Sequence, residues 1–457
     1  MIPGNNNEVT ETRRLSAELL HRILEKGAFA NISLERELSG KALASADKNL
    51  VTEIVSGTVR MHKHLDWVLD LFLPSGIMAV NPWLRTILRM SAYQIMFTDR
   101  IPAYAAINEA VSLTRQKTNK SLSRVTNGVL RNLLRQQDQI RYPEEAASYL
   151  AVYYSHPEWI VDLLLDTWGP SVTEEVLKYN NAAPRLVLRN NQLRGSREDL
   201  IKNLRGENID CSINSRTPWG VTVNRLNMSL ENTRAFEQGL FYVQNEASML
   251  AAAILQVDPG HRVYDLCSGV GGKTTHLAEM MQNHGEIWAY ELYGKKVQLL
   301  KNNYDRLGIN IIKTFNQDVL LMDKDSQKAD RVLLDAPCSG LGVIQRRADL
   351  RWRQTPETIR QLVSLQGDLL DKAGQLVEKG GLLLYSTCTV NEEENIGTVT
   401  KFLDQNSGYS LEGFNHLIRY FALDGVDDRN AARGTLTIIP GKYQTDGMFY
   451  ALMRRKF

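Results

Sequence analysis

This sequence is poor in cysteine, in unbroken apolar runs and in net charge, and each shortage removes a class of protein. Four cysteines in 457 residues stand far apart, at 211, 267, 338 and 388, and none forms a CxxC pair. Structural zinc sites and disulfide frameworks need closer sets of thiols, so neither a metal nor a crosslink is expected. Reduced thiols and a cytoplasmic location are. No apolar stretch reaches the roughly 18 residues that a membrane-spanning helix needs. The longest candidate, LFLPSGIMAVNPWL, is too short and contains two prolines. The polar opening MIPGNNNEVTETRR has no apolar core of a secretory signal. Net charge is only +2, so the molecule as a whole does not advertise nucleic acid, and local charge must carry that argument. No exposed coiled-coil pattern stands out, and a monomer is expected.

What is present falls into three parts. Residues 12–137 repeat apolar side chains at helical spacing, as in RRLSAELLHRILEKG, NPWLRTILRMSAYQIMF and SLSRVTNGVLRNLLRQ, with Pro, Gly, Asn and Ser breaks between them. A helical domain over 1–141 is predicted. Its end is lopsided: Arg115, Lys117, Lys120, Arg124, Arg131, Arg135 and Arg141 face Asp138 alone. Such a run is either a solvated helix face or a phosphate-contacting surface. Residues 142–235 mix strand-like PRLVLRNNQL and GVTVNRL with a Ser-capped helix, SREDLIKNLRGENI, and suggest a small α+β module. From 236 to 457 short apolar runs alternate with helical patterns: HRVYDLC, GEIWAYE, NIIKTFNQD, ADRVLLDAP and GGLLLYSTC. That rhythm predicts a doubly wound, Rossmann-like α/β domain with its ligand beyond the carboxyl ends of the strands. DGMFYALMRR reads as a last strand, antiparallel to the rest.

The turn DLCSGVGGKTT, 265–275, is rich in glycine, which lets backbone approach a ligand. A P-loop would need glycine where Cys267 stands, and the dinucleotide fingerprint would need glycine at Thr274. Both fail. What remains is an acid before a glycine turn, with Glu291 and Asp318 at the ends of the next two strands. A carboxylate there can accept both ribose hydroxyls, and the series suits a nucleoside without phosphates, as in S-adenosylmethionine. Taken singly, each acid could merely cap the following helix.

The chemistry rests on DAPCSG and STCTVNEEEN, which put Cys338 and Cys388 fifty positions apart, each just after a strand. C5 of a pyrimidine becomes nucleophilic once a thiolate adds at C6. The residues alone leave open which thiol attacks; the Pro-Cys arrangement of DNA cytosine methyltransferases would nominate Cys338.

DRVLLDAPCSG followed by STCTVNEEEN resembles the RNA 5-methylcytosine methyltransferase family typified by the nucleolar Nop2/Sun proteins. The helical domain is similar to the NusB-type RNA-binding fold. Their combination resembles bacterial members acting on small-subunit (16S) ribosomal RNA, and the likeness spans nearly the whole chain. It implies that Cys388 is the nucleophile, that Cys338 serves C5 deprotonation or release, and that Asp335 bonds the cytosine edge. It implies cofactor contacts from Cys267, Ser268, Gly269, Val270, Gly271, Gly272 and Lys273, and from Glu291, Asp318 and Asp335. RNA contacts would come from Arg115, Lys117, Lys120, Arg124, Arg131 and Arg135, and from Arg346 and Arg347 in RRADLRW. That last stretch reads equally as a charged helix start with one packed tryptophan. The family turn usually has proline where this chain has Val270, which leaves the loop less pre-set.

Two other readings compete. A zinc deaminase signature would need cysteine where Leu341 stands, which excludes it. An RNA-binding regulator with an idle methyltransferase scaffold would be favoured by loss of a cysteine or of the glycine turn, and neither is lost. Transfer RNA or large-subunit RNA as substrate stays open.

Overall fold

The structure is a computed structural model and describes residues 9–39, 43–99, 101–226, 228–323 and 326–456. The opening octapeptide therefore lies outside the described residues. The chain divides into two compact units.

The first unit runs to Ala182 and also takes in Ile344–Arg353. Its helices are α1 (Glu11–Lys26), α2 (Ala30–Ser39), α3 (Ser45–Arg60), α4 (His62–Asp70), α5 (Pro82–Phe97), α6 (Ala103–Lys117), α7 (Lys120–Gln136), α8 (Ala146–Tyr153) and α9 (Glu158–Asn181). Local chemistry sets their ends. Gly27 closes α1 in the left-handed region at φ 73°. Asn81 accepts the Trp83 N–H at the head of α5, with Pro82 in the first position. Leu15, Leu19, Ile54, Leu65, Ile87 and Leu130 meet in the core.

The strap Ile344–Arg353 is wound into this unit. The fully buried Arg351 guanidinium donates to the Ser155 and Asn180 carbonyls and to the Asn181 side chain. The Asp349 carboxylate accepts the Ala30 N–H, and the Trp352 indole donates to the Val59 carbonyl at 2.8 Å. Trp352 is thus a packed residue in a short 3-10 turn.

The second unit opens with a small antiparallel sheet. Its elements are β1 (Leu186–Asn190), α10 (Arg197–Gly206), β2 (Asp210–Ile213), β3 (Gly220–Arg225), α11 (Arg234–Glu237) and β4 (Phe241–Val243), in strand order β2-β3-β1-β4. Ser196 caps α10, as the sequence led one to expect, and Asp199 makes the bond reciprocal in a capping box.

The large sheet follows, built from α12 (Glu246–Ile254), β5 (Arg262–Asp265), α13 (Gly272–Met280), β6 (Glu286–Tyr290), α14 (Gly294–Leu307), β7 (Ile312–Phe315), β8 (Ala329–Asp335), α15 (Pro356–Leu376), β9 (Val377–Thr387), α16 (Thr398–Gln405), β10 (Tyr409–Leu411), α17 (Gly425–Ala432), β11 (Thr435–Ile438) and β12 (Met448–Arg455). Strand order is β10-β12-β9-β8-β5-β6-β7, with β11 also on β12. Strands β5 to β9 are parallel, whereas β12 lies antiparallel to β9. From β5 the chain winds out through β6 and β7, then returns to β8 on the other side. This reversal opens a crevice at the carboxyl ends of β5 and β8, the place where such sheets bind ligands. Leu382, Leu383, Leu384 and Tyr385 on β9 are all buried, as suits a strand covered on both faces.

Candidate active site

The carboxyl ends of the parallel strands gather the chemistry. Asp265 ends β5 and Asp335 ends β8, Glu291 directly follows β6, and Cys388 directly follows β9. Asp318 lies three residues past β7, where its carboxylate accepts the Leu320 N–H at 2.9 Å and caps a short turn. For that acid the capping role is the observed one.

The glycine turn joins β5 to α13. Gly269 and Gly271 have φ of 58° and 93°, and a Cβ on Gly271 would fall 2.3 Å from Leu300. Conformation and space both demand glycine there. Glu291 braces the turn by accepting the N–H groups of Gly269 at 3.1 Å and Tyr293 at 2.9 Å. The Ser268 hydroxyl donates to the Tyr290 carbonyl at 3.0 Å. Val270, which replaces the usual proline, has its carbonyl held by the Asn303 amide at 2.9 Å and the Tyr242 hydroxyl at 3.4 Å. The loop is fixed from outside instead of by its own ring. Burial, followed by neighbouring acids, pushes the Cys267 thiol far up, so that cysteine is a neutral wall of the turn.

Beneath the turn lies a cluster of charges. Asp265 is fully buried; its Oδ2 accepts the Thr274 hydroxyl at 2.6 Å and its Oδ1 has no partner. Burial, then the charge of Asp335, raise its pKa to about 7 despite the Thr274 bond. The Lys273 ammonium is 2.6 Å from Asp335. Burial works against that charge, but Asp335, Cys388 and Asp265 outweigh it and hold the lysine pKa up. The other Asp335 oxygen accepts the Ser386 hydroxyl at 2.8 Å.

The two thiols meet. Cys338 and Cys388 place their sulfurs 3.2 Å apart, and the Cys338 sulfur accepts the Cys388 N–H at 3.3 Å. The bond to Cys388, then burial, then the charges of Cys388, Glu394 and Asp335 push the Cys338 thiol well up. Either sulfur can be the donor in this contact. Gly342 packs against the same loop: its N–H donates to the Cys388 carbonyl at 2.9 Å, and an added Cβ would lie 2.3 Å from the Gly447 carbonyl oxygen.

Arg115, Lys120, Arg124, Arg131 and Arg135 are exposed on α6 and α7, and none forms an ion pair among the described residues. Lys117 differs, since it pairs with Glu18 at 2.9 Å and lies over the Trp83 ring. A cleft of about 370 Å³ is lined by Tyr104, Asn108, Arg131 and Arg135, with Tyr104 70% exposed. In the strap, Arg346 is half-buried and Arg347 exposed.

Sequence reasoning missed Arg189. Its buried guanidinium forms a two-pronged bond with Glu279, and it donates to the Thr275 hydroxyl and, at 2.6 Å, to the Gly272 carbonyl. The small module thus holds the glycine turn from below. An arginine in a strand-like stretch gave no sign of this, because its partners on α13 lie more than eighty positions away. Glu394, behind both thiols, was also missed.

Known proteins match along the whole chain. Residues 252–454 match the family described as 16S rRNA methyltransferase RsmB/F, 10–135 match the NusB family, and 156–228 match an RsmF/B-like ferredoxin-like domain. A protein of Synechocystis named probable ribosomal RNA small subunit methyltransferase B is 34% identical over 97% of this chain and 99% of its own length. A Bacillus subtilis protein of the same name is 32% identical over 98% and 99%. Among solved structures, that of PH0851 superposes with a TM-score of 0.81 at 26% identity, over 98% of this chain and all of its own. Fold and comparisons agree on the class: a Rossmann-like methyltransferase domain on one chain with a NusB-like helical domain and a ferredoxin-like module. The chain belongs to the RsmB/F family of 16S rRNA methyltransferases.

Proposed function

We propose that this protein methylates C5 of a cytosine in 16S rRNA from S-adenosylmethionine, in the cytoplasm, through a covalent link between Cys388 and C6 of the base. The observation that carries this reading is the pair of sulfurs 3.2 Å apart at the ends of β8 and β9, beside the Lys273–Asp335 ion pair. The names of the relatives support the substrate.

The residues at the crevice suit the cofactor. Glu291 offers a carboxylate for ribose hydroxyls, Asp265 an unpartnered buried oxygen, and Val270, Leu292 and Tyr293 expose apolar surface for an adenine face. When bound, S-adenosylmethionine supplies an electrophilic methyl group. A base drawn out of its stack would present its edge to Asp335. The Cys388 sulfur adds to C6, and the electron pair displaced from the C5–C6 double bond makes C5 the nucleophile that takes the methyl. The charge once on Cys388 is now shared into the base. With its sulfur bonded to carbon, Cys388 no longer offers the bond and the charge that hold the Cys338 thiol up, so Cys338 releases its proton to solvent water. As a thiolate it takes the C5 proton, the C5–C6 double bond re-forms, and Cys388 leaves as thiolate. Arg115, Lys120, Arg124, Arg131 and Arg135 contact phosphates, and Arg346 and Arg347 extend that set.

The test uses 16S rRNA transcripts and labelled cofactor. Cys388→Ala abolishes label in 5-methylcytidine, whereas Cys338→Ala accumulates a protein–RNA adduct that survives a denaturing gel. An active Cys388→Ala enzyme, or adducts seen only with that variant, reverses the roles. Label from transfer RNA or 23S rRNA alone moves the substrate and leaves the chemistry.

A further inference from the structure

We infer that Glu394 is a positioning residue that sets the two thiols against each other by clamping the loops that carry them. This rests on the thiol chemistry proposed above. Glu394 is completely buried, in a π-helical turn (Glu393–Gly397) just beyond Cys388. Such turns are rare and are over-represented at functional sites. Here the turn aims the side chain back beneath the loops after β8 and β9.

Its two oxygens take four donors. Oε1 accepts the Ser339 N–H at 2.8 Å and the Gln366 amide at 3.1 Å. Oε2 is within hydrogen-bond reach of the Ser339 hydroxyl and accepts the Thr389 hydroxyl at 3.0 Å. Ser339 immediately follows Cys338 and Thr389 immediately follows Cys388, and their hydroxyls lie 2.7 Å apart. One carboxylate therefore joins the residue after each thiol. Gln366 also donates to the Pro337 carbonyl at 2.9 Å, which ties the residue before Cys338 to the same point.

A fold that needed only a tie there could use a neutral side chain. Burying a carboxylate costs free energy unless every lone pair is met, and no cation pairs with Glu394 among the described residues. The charge has a second effect on the same atoms, because it helps keep the proton on Cys338. Glu394 thus fixes where the sulfurs are and adds to what holds the Cys338 thiol up. An amide in its place turns one acceptor into a donor facing donors, which spreads the loops.

The experiment compares Glu394→Gln, the double variant Ser339→Ala/Thr389→Val and Cys388→Ala with the parent. It measures kcat and KM for RNA, cofactor affinity, and adduct yield on 5-fluorocytidine RNA. The expected result for Glu394→Gln is a fall in kcat of about 100-fold or more and a matching loss of adduct, with KM and cofactor affinity within about twofold. Parental kcat in a folded Glu394→Gln enzyme overturns the inference. If that variant does not fold, the double variant decides, since it keeps the carboxylate and removes both hydroxyl links, leaving only the Ser339 N–H and the Gln366 amide on it. Its kcat is expected to fall at least about tenfold, and an unchanged kcat overturns the inference. Activity in Cys388→Ala would instead overturn the thiol chemistry on which both rest.

Discussion

Asp265 shows how one residue can be legible as an acid and illegible as a charge. The sequence places a carboxyl before the glycine turn, but only its burial and its single bond to Thr274 reveal the raised pKa. Because that pKa lies above its value in the unfolded chain, the folded state holds the proton more tightly. The associated stability is present below about pH 4 and is lost as pH rises toward 7. Asp265→Asn cannot ionise, so without cofactor it melts above the parent at pH 8, by up to about 4 kcal/mol, and loses that advantage at pH 4. Calorimetry at the two pH values checks this, and equal melting at both removes the buried charge from the account. Cys338, Cys388, Glu291 and the glycine turn were legible because each belongs to a contiguous pattern at a strand end. Arg189 was not, since its meaning comes from Gly272, Thr275 and Glu279 on another element.

Helix α7 is the clearest element. Ser123, Thr126, Val129, Leu130 and Leu133 are buried at helical spacing, while Lys120, Arg124, Arg131 and Arg135 occupy the exposed side. Arg131 and Arg135 donate to the Asn127 and Asn132 amides but form no ion pair among the described residues, which leaves their charge available to phosphate. Arg131→Ala and Arg135→Ala should each lower the slope of log K for RNA against log salt by about 1, with the melting temperature unchanged. A salt titration that leaves the slope intact would make this a solvated face. Other elements escaped the sequence. Strands β2 and β4 have only four and three residues, too few for alternation to declare itself. In α9 the pattern is broken by Gly169, at φ 72°, and Pro170, so the apolar run WIVDLLLDTW did not read as the start of a long helix. The five parallel strands were legible because each is a short apolar run closed by a turn signal.

For the whole molecule, buried histidines set the acid limit of stability. His64 and His156 in the helical unit, and His276 on α13, have pKa values below the free value, chiefly through burial; that of His64 falls to about 4. The unfolded chain therefore binds more protons, and stability drops as pH falls below about 6.5. By pH 4 the His64 shift costs up to roughly 3 kcal/mol, and His64→Gln should flatten the decline seen by urea unfolding between pH 6.5 and 4. Among the described residues, no helix is long and apolar enough to cross a membrane, and no cluster of three or more His, Cys, Asp or Glu is placed to hold a metal. Two units were harder to see in the sequence than three patterned stretches, because Ile344–Arg353 belongs with helices whose contacting residues precede it by 166 to 326 positions. That strap has a genetic consequence. A single crossover between related genes that swaps the helical part alone would leave Arg351 and Trp352 facing a foreign set of carbonyls. Successful chimaeras should therefore carry a second exchange at 344–353, and these two tracts should be inherited as one.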